Sequence, residues 1–282
     1  MRIYLSVDME GLAGVAHPHQ VVFGLNGIDR TDYDRSRALM AGETNAAIEA
    51  AFQHGADEVV VNDSHWQMRN LRGEDLHARA RLIIGDKPFS MTQGIGGIGD
   101  GAFDAAAFIG YHAGAGHATG VIAHTYSSVT VLEIRANGVP HNEAGLNAIR
   151  LGHHVVPVVL VAGDDALATE VEMLLPWAER VIVKRALGSN VADSLAPADA
   201  QQAIREGMAQ ALGRLGEMRV YHPAHPIAGE IDFRLPAMAD YACVVPGIER
   251  VGPRTVGFNA EDGEAYYRTC LVLTRLATIP AA

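Results

Sequence analysis

Apolar runs that end in short polar tips recur along the first part of the chain. Ile3-Tyr4-Leu5-Ser6-Val7 leads into Asp8-Met9-Glu10-Gly11, and Glu58-Val59-Val60-Val61 leads into Asn62-Asp63-Ser64-His65. Ala105-Ala106-Ala107-Phe108-Ile109-Gly110-Tyr111 ends in His112. Such near-continuous apolar runs predict strands covered on both faces. Tyr33 to His54 instead predicts a long amphipathic helix, stopped by Gly55 in the position just past the helix end that glycine favours. Further strands are predicted at 80–84, 128–135, 155–162 and 180–184. One helix is predicted to open near Asn142-Glu143 and run to about Leu151, and another to start at Asp164-Asp165. The alternation predicts an α/β fold of three layers, with a largely parallel sheet between helices.

Residues 186–200, with Gly188, Ser189, Asn190, Ser194 and Pro197, have the composition of a linker. Beyond them the pattern predicts a helix over 199–215, several short strands between Arg219 and Val256, and a last helix from about Ala260 to Leu276. The expected division is therefore an α/β metal-binding catalytic domain over 1–187 and a smaller α+β domain over 188–282, the latter in oligomer contacts. Gly94-Ile95-Gly96-Gly97-Ile98-Gly99 matches the dinucleotide fingerprint letter for letter. That fingerprint needs a strand before it and a helix after it, and here it leads into a strand, so a glycine loop is the better reading.

Composition narrows the partners. The chain has 282 residues, 49% of them hydrophobic and 20% charged, which suits one large soluble domain with or without a small one. A formal net charge of -11 argues against nucleic acid and anionic membrane. No apolar run approaches the ~18 residues that span a bilayer, and Met1-Arg2 does not open a signal peptide. Cys243 and Cys270 form no CxxC pair. A cytoplasmic protein is expected.

The polar tips carry the candidate chemistry. Strand side chains repeat every two residues, so Asp8 and Glu10 point the same way wherever strand geometry extends past the tip. Adjacent carboxylates repel unless a positive group lies between them. A metal ion satisfies that need; the alternative is a turn cap at Asp8 and a solvated loop residue at Glu10. In open α/β sheets ligands bind beyond the carboxyl ends of the strands. Asp8, Glu10, His65 and His112 at three such ends point to one convergent site, with the oxygen and nitrogen ligands that zinc and similar ions take. Thirteen histidines are many for this length and favour the metal reading. Asp63 fits either a hydrogen-bond partner of a ligating histidine or a turn carboxylate. Asp164 and Asp165 read as helix caps, and His153-His154 as favourable charge at a helix C-terminus. His17, His19 and His117 read as solvated or lid residues on glycine-rich loops.

Ser6-Val7-Asp8-Met9-Glu10-Gly11 fits the S-x-D-x-E-G signature of the zinc D-aminopeptidases, a bacterial family whose type member is a self-compartmentalising decamer. Asn62-Asp63-Ser64-His65, Gly110-Tyr111-His112-Ala113, Glu143 with Gly145-Leu146-Asn147, Val161-Ala162-Gly163-Asp164-Asp165 and Pro246-Gly247 resemble family blocks in the same order. The resemblance implies two zinc ions per chain, held by Asp8, Glu10, His65, His112 and Glu143, with Asp8 bridging them. It implies a catalytic histidine at His124, within Ile122-Ala123-His124-Thr125. On spacing alone Glu143 reads equally as a first-turn carboxylate stabilised by the helix dipole, and His124 as a core histidine bonded to backbone. The implied activity is hydrolysis of short peptides with an N-terminal D-residue, of the D-alanyl type, by metal-activated water in a homo-oligomer. Another metal-dependent amidase or hydrolase on the same scaffold, or a non-catalytic peptide- or metal-binding module of a dipeptide-uptake system, are the alternatives. Two loops, 113–120 and 15–32, look longer than in the type member. They are expected to shape the pocket and so the choice of substrate.

Overall fold

The computed structural model describes residues 1–23, 30–96 and 103–281. In chain order the main elements are β1 (Arg2–Val7), α1 (Thr31–Gln53), β2 (Glu58–Asp63), β3 (Arg81–Ile83), β4 (Ala105–Tyr111), β5 (Val131–Ala136), β6 (Val139–Pro140), α2 (Glu143–His153), β7 (Val158–Asp164), α3 (Asp165–Leu174), β8 (Glu179–Gly188) and β9 (Val191–Ser194). They continue with α4 (Pro197–Gly213), β10 (Ile227–Phe233), α5 (Pro236–Ala242), β11 (Glu249–Arg250), β12 (Thr255–Ala260) and α6 (Gly263–Leu276). Among the described residues no helix is long and apolar enough to cross a membrane.

One sheet has the strand order β3-β2-β1-β4-β7-β8-β9. All its pairings are parallel except the outermost, β8 with β9. Alternation along β1 sends Ile3, Leu5 and Val7 to the face covered by α1 and α4, and Tyr4 to the face covered by α2 and α3. That makes the three layers the alternating pattern predicts. A second, antiparallel sheet, β11-β12-β10-β5-β6, packs with α5 and α6 around a separate core. Helix α2 lies between the two cores, giving Ala144, Ala148 and Leu151 to one and Leu146 and Ile149 to the other. Every residue from Glu143 to Gly152 is buried in consequence.

The sheets do not divide at 187/188. Strands β5 and β6 leave the parallel layers and join the second sheet, where Ile134 pairs with Ile231. Residues 186–200 form the β8–β9 hairpin and the start of α4, which returns to pack against α1. Hairpin turns and linkers use the same residues, glycine, serine and asparagine, so composition alone does not separate them. Of the glycine-rich stretch, Gly94 to Gly96 form a turn after a short 3₁₀ segment, and residues 97–99 lie outside the described residues.

The register fixes where polar tips meet. Val7 of β1 is level with Asp63 of β2 and Ile109 of β4, so β1 and β2 end together and β4 runs on for two residues before His112. Because β1 is joined onward to β2 on one side and lies beside β4 on the other, this is also the point at which the strand order reverses. Ligand crevices of open α/β sheets lie at such points.

Candidate metal centre

Strand β1 stops at Val7, so Asp8 and Glu10 sit in a turn and not on an extended strand. Two glycines make that turn possible. A Cβ on Gly11 would lie 1.8 Å from the Tyr111 carbonyl oxygen, and one on Gly110 would lie 2.3 Å from that of Asp8. Gly110 also has φ +72°, a conformation most residues avoid. The backbones thus cross at contact distance, with Gly11 N–H donating to Gly110 O at 2.8 Å and Asp8 N–H to Ile109 O at 2.8 Å. This crossing carries the Asp8 carboxylate up to His112.

Two buried ionisable side chains hold the rest of the turn. The Lys184 ammonium, from the middle of β8, donates to the carbonyls of Glu10, Leu12 (3.1 Å) and Val15 (2.6 Å). Glu43, from α1, accepts from Ala13 N–H at 2.8 Å. Burial pushes Lys184 down to about 8 and Glu43 up to about 8. Lys184→Met would leave three carbonyls without their donor at a cost of about 1–3 kcal/mol each. The variant is therefore expected to lose at least about 3 kcal/mol of stability in urea unfolding. A loss below about 1 kcal/mol would show that the turn holds itself.

His65 follows β2 in a loop stapled by Asp63, which accepts from Asn70 N–H (2.5 Å), Asn70 Nδ2 (2.7 Å) and Leu71 N–H (2.8 Å). Asp63 is therefore a loop carboxylate and does not touch the His65 ring. Glu143 opens α2, where Asn142 caps by accepting from Gly145 N–H at 2.9 Å. Its carboxylate enjoys the positive end of the helix dipole and also accepts from Tyr126 N–H at 2.7 Å. Asp164 caps α3 and in addition accepts from Val121 N–H, tying down the segment that carries His124. Asp165 instead accepts from Ala186 N–H of β8.

The six side chains converge in two groups, Asp8, Glu10 and His65 in one and His112, His124 and Glu143 in the other. In each, one ligand atom per residue lies within 4.8 Å of the others. His65 Nδ1 is 3.1 Å from Asp8 Oδ1 and 3.0 Å from Glu10 Oε2. His112 Nε2 is 3.5 Å from both Asp8 Oδ2 and Glu143 Oε1, so Asp8 reaches both groups with its two oxygens. The His124 ring stacks on His112 with centroids 4.1 Å apart, and its Nε2 is 3.8 Å from Glu143 Oε1.

Each imidazole has its second nitrogen on a backbone carbonyl: His65 Nε2 on Val21 (2.6 Å), His112 Nδ1 on Ala113 (3.0 Å) and His124 Nδ1 on Ile122 (2.8 Å). A carbonyl only accepts, so these nitrogens carry the protons and the others turn toward the carboxylates. Such outer partners orient metal-ligating histidines. His112 Nε2 is buried without a hydrogen-bond partner, which a polar atom avoids unless something else satisfies it, and Glu10 Oε2 has only the His65 ring nitrogen at 3.0 Å. Three carboxylates, imidazoles aimed at them and an orphaned imidazole nitrogen fit divalent cations well.

Electrostatics say the same. Burial, then the charge of Glu10, pushes Asp8 up to about 8. Burial works against a charged His65, but Glu10 and Asp8 outweigh it and hold the ring well above its usual value. His112 likewise resists burial through Glu143 and Asp8 and rises to about 10. Protonated imidazoles here supply the positive charge that clustered carboxylates require. His124 goes the other way: burial and the neighbouring His112 charge lower it, leaving a neutral base.

Asp8, Glu10, His65, His124 and Glu143 line a cavity of about 840 Å³, and the buried His112 stacks on His124. His117 also lines it, while His17 and His19 are exposed outside the cluster. His153 and His154 face Asp262, which caps α6, and Glu264 in its first turn. Beneath the centre runs a buried polar chain that spacing did not reveal. Ser6 Oγ is 2.7 Å from Ser64 Oγ and 2.6 Å from the Tyr111 hydroxyl, which accepts from Asn147 Nδ2 at 3.0 Å. Its one visible signal is Ser6, a hydroxyl inside an otherwise apolar strand.

Comparison with known proteins identifies the relatives of the whole chain. The family model described as D-aminopeptidase matches residues 1–272. A D-aminopeptidase of Bacillus subtilis (strain 168) is 39% identical over 279 residues, covering 98% of each chain. The solved structure of the Zn-dependent D-aminopeptidase DppA from Bacillus subtilis, described as a self-compartmentalizing protease, superposes with a TM-score of 0.91 at 38% identity, over 99% of this chain and 98% of that one. Agreement in sequence and backbone from the first strand to the last helix leaves no separate unit unaccounted for: the chain belongs to the D-aminopeptidase family.

Proposed function

We propose that this chain is a di-zinc aminopeptidase that hydrolyses short peptides with an N-terminal D-residue, of the D-alanyl type. The observation that carries the reading is the pair of ligand triads sharing Asp8 between them at the floor of the cavity. Asp8, Glu10, His65, His112 and Glu143 would hold the two ions, with Asp8 as the bridge because its two oxygens face the two groups. Zinc, when bound, would supply water activation and polarisation of the scissile carbonyl. His124 keeps Nε2 free at the cavity and neutral, so it can take a proton there and return one to the leaving amine. The grouping of His124 with His112 and Glu143 favours a second reading in which it is a sixth ligand.

The names of the relatives support zinc and D-peptide hydrolysis, and the self-compartmentalizing description of one supports a homo-oligomer, a decamer in our reading. Two free cysteines suit a reducing compartment, and we place the protein in the cytoplasm. Purified protein is expected to hold close to two divalent ions per chain by elemental analysis. It should cleave a D-alanyl dipeptide faster than its L-alanyl counterpart and run in solution well above the mass of one chain. Metal content near zero, or preference for the L-peptide, would overturn the reading.

A further inference from the structure

The cavity is lined at one end by carboxylates and imidazoles. Among its described lining residues there is a single lysine or arginine, Arg275, on the last turn of α6. Arg275 is exposed, and its guanidinium has no ion-pair partner among the described residues. Thr274 beside it is buried, lines the same cavity, and has a hydroxyl without a hydrogen-bond partner. An unsatisfied buried hydroxyl next to an unpaired cation is what a site for an anionic group presents before that group arrives.

This wall is tied to the metal centre. The Tyr267 ring, two turns earlier on α6, meets the Tyr126 ring at 6.3 Å, and Tyr126 N–H donates to Glu143. A short peptide is a zwitterion. If its amino end and scissile carbonyl lie at the metal centre, its α-carboxylate projects away from the carboxylates and needs a cation on another wall. The planar fork of an arginine matches a carboxylate with two parallel hydrogen bonds.

We propose that Arg275, with the Thr274 hydroxyl, binds the α-carboxylate of the substrate and so selects short peptides with a free C-terminus. The inference rests on the aminopeptidase reading above. Its test is steady-state hydrolysis of D-alanyl-D-alanine and of the corresponding C-terminal amide by zinc-loaded protein. The free acid is expected to be favoured about 10- to 100-fold in kcat/KM, the span of one charged hydrogen-bonding contact, with the difference in KM. Arg275→Gln should bring the ratio close to one at unchanged zinc content, and Arg275→Lys should keep part of it. Equal wild-type rates on acid and amide would overturn the carboxylate site and leave the aminopeptidase reading intact. So would an Arg275→Gln variant that keeps the preference. Hydrolysis of neither compound would overturn the aminopeptidase reading and this inference with it.

Discussion

Asp8→Ala is expected to lose more than one of the two proposed metal ions and to abolish measurable turnover. Asp8 Oδ1 faces His65 and Oδ2 faces His112, so removing the carboxylate strips an oxygen from both groups at once. Loss of a partner that merely orients a ligand already costs about 10–100-fold in metal affinity, and loss of a shared ligand should exceed that. Glu10→Ala and Glu143→Ala, each confined to one group, should spare the other ion better. Elemental analysis of the three purified variants, after dialysis against the same zinc concentration, makes the comparison. Full stoichiometry in Asp8→Ala would remove the bridge from the proposal. Equal losses in all three would mean that the two groups load as one unit.

The layers of the fold were legible because their cause is local. Apolar runs between amphipathic helices admit few arrangements besides a covered parallel sheet, and the strand tips then gather at one edge. The membership of β5 and β6 in the second sheet was not legible. Their alternation predicts strands but says nothing of partners, and Ile134 meets Ile231 only through a contact far along the chain. The same limit applies to the expected boundary at 187/188, where hairpin residues imitate a linker.

Within the candidate site, Asp8, Glu10, His65 and His112 follow from strand ends, although strand alternation alone does not orient Asp8 and Glu10. Strand alternation ends at Val7, and what turns both carboxylates inward is the crossing at Gly11 and Gly110 and the grip of Lys184 on three carbonyls. Neither feature has a local signature: Lys184 is one charge within a partly buried strand, and its acceptors lie some 170 residues away. Glu143 needed the family resemblance, because the helix dipole and a metal ask for the same carboxylate at the same position.

His124→Ala separates catalysis from binding. In the reading favoured here His124 handles protons and does not hold metal, so zinc content should stay near wild type. Its Nδ1–H is fixed on the Ile122 carbonyl and its Nε2 is unprotonated toward the cavity, the state a general base needs. General acid–base groups contribute about 10²–10⁴-fold, so turnover on a D-alanyl dipeptide should fall by at least about a hundredfold, with a far smaller change in substrate binding. Paired metal analysis and steady-state kinetics on the variant decide among three outcomes. Turnover within a few-fold of wild type would make His124 a structural histidine stacked on His112, and proton transfer would pass to another group, with Glu10 the next residue to test. Loss of metal together with turnover would place His124 beside His112 and Glu143 as a ligand, the role their shared geometry also permits. Only intact metal with lost turnover fits a base held in place by the Ile122 carbonyl.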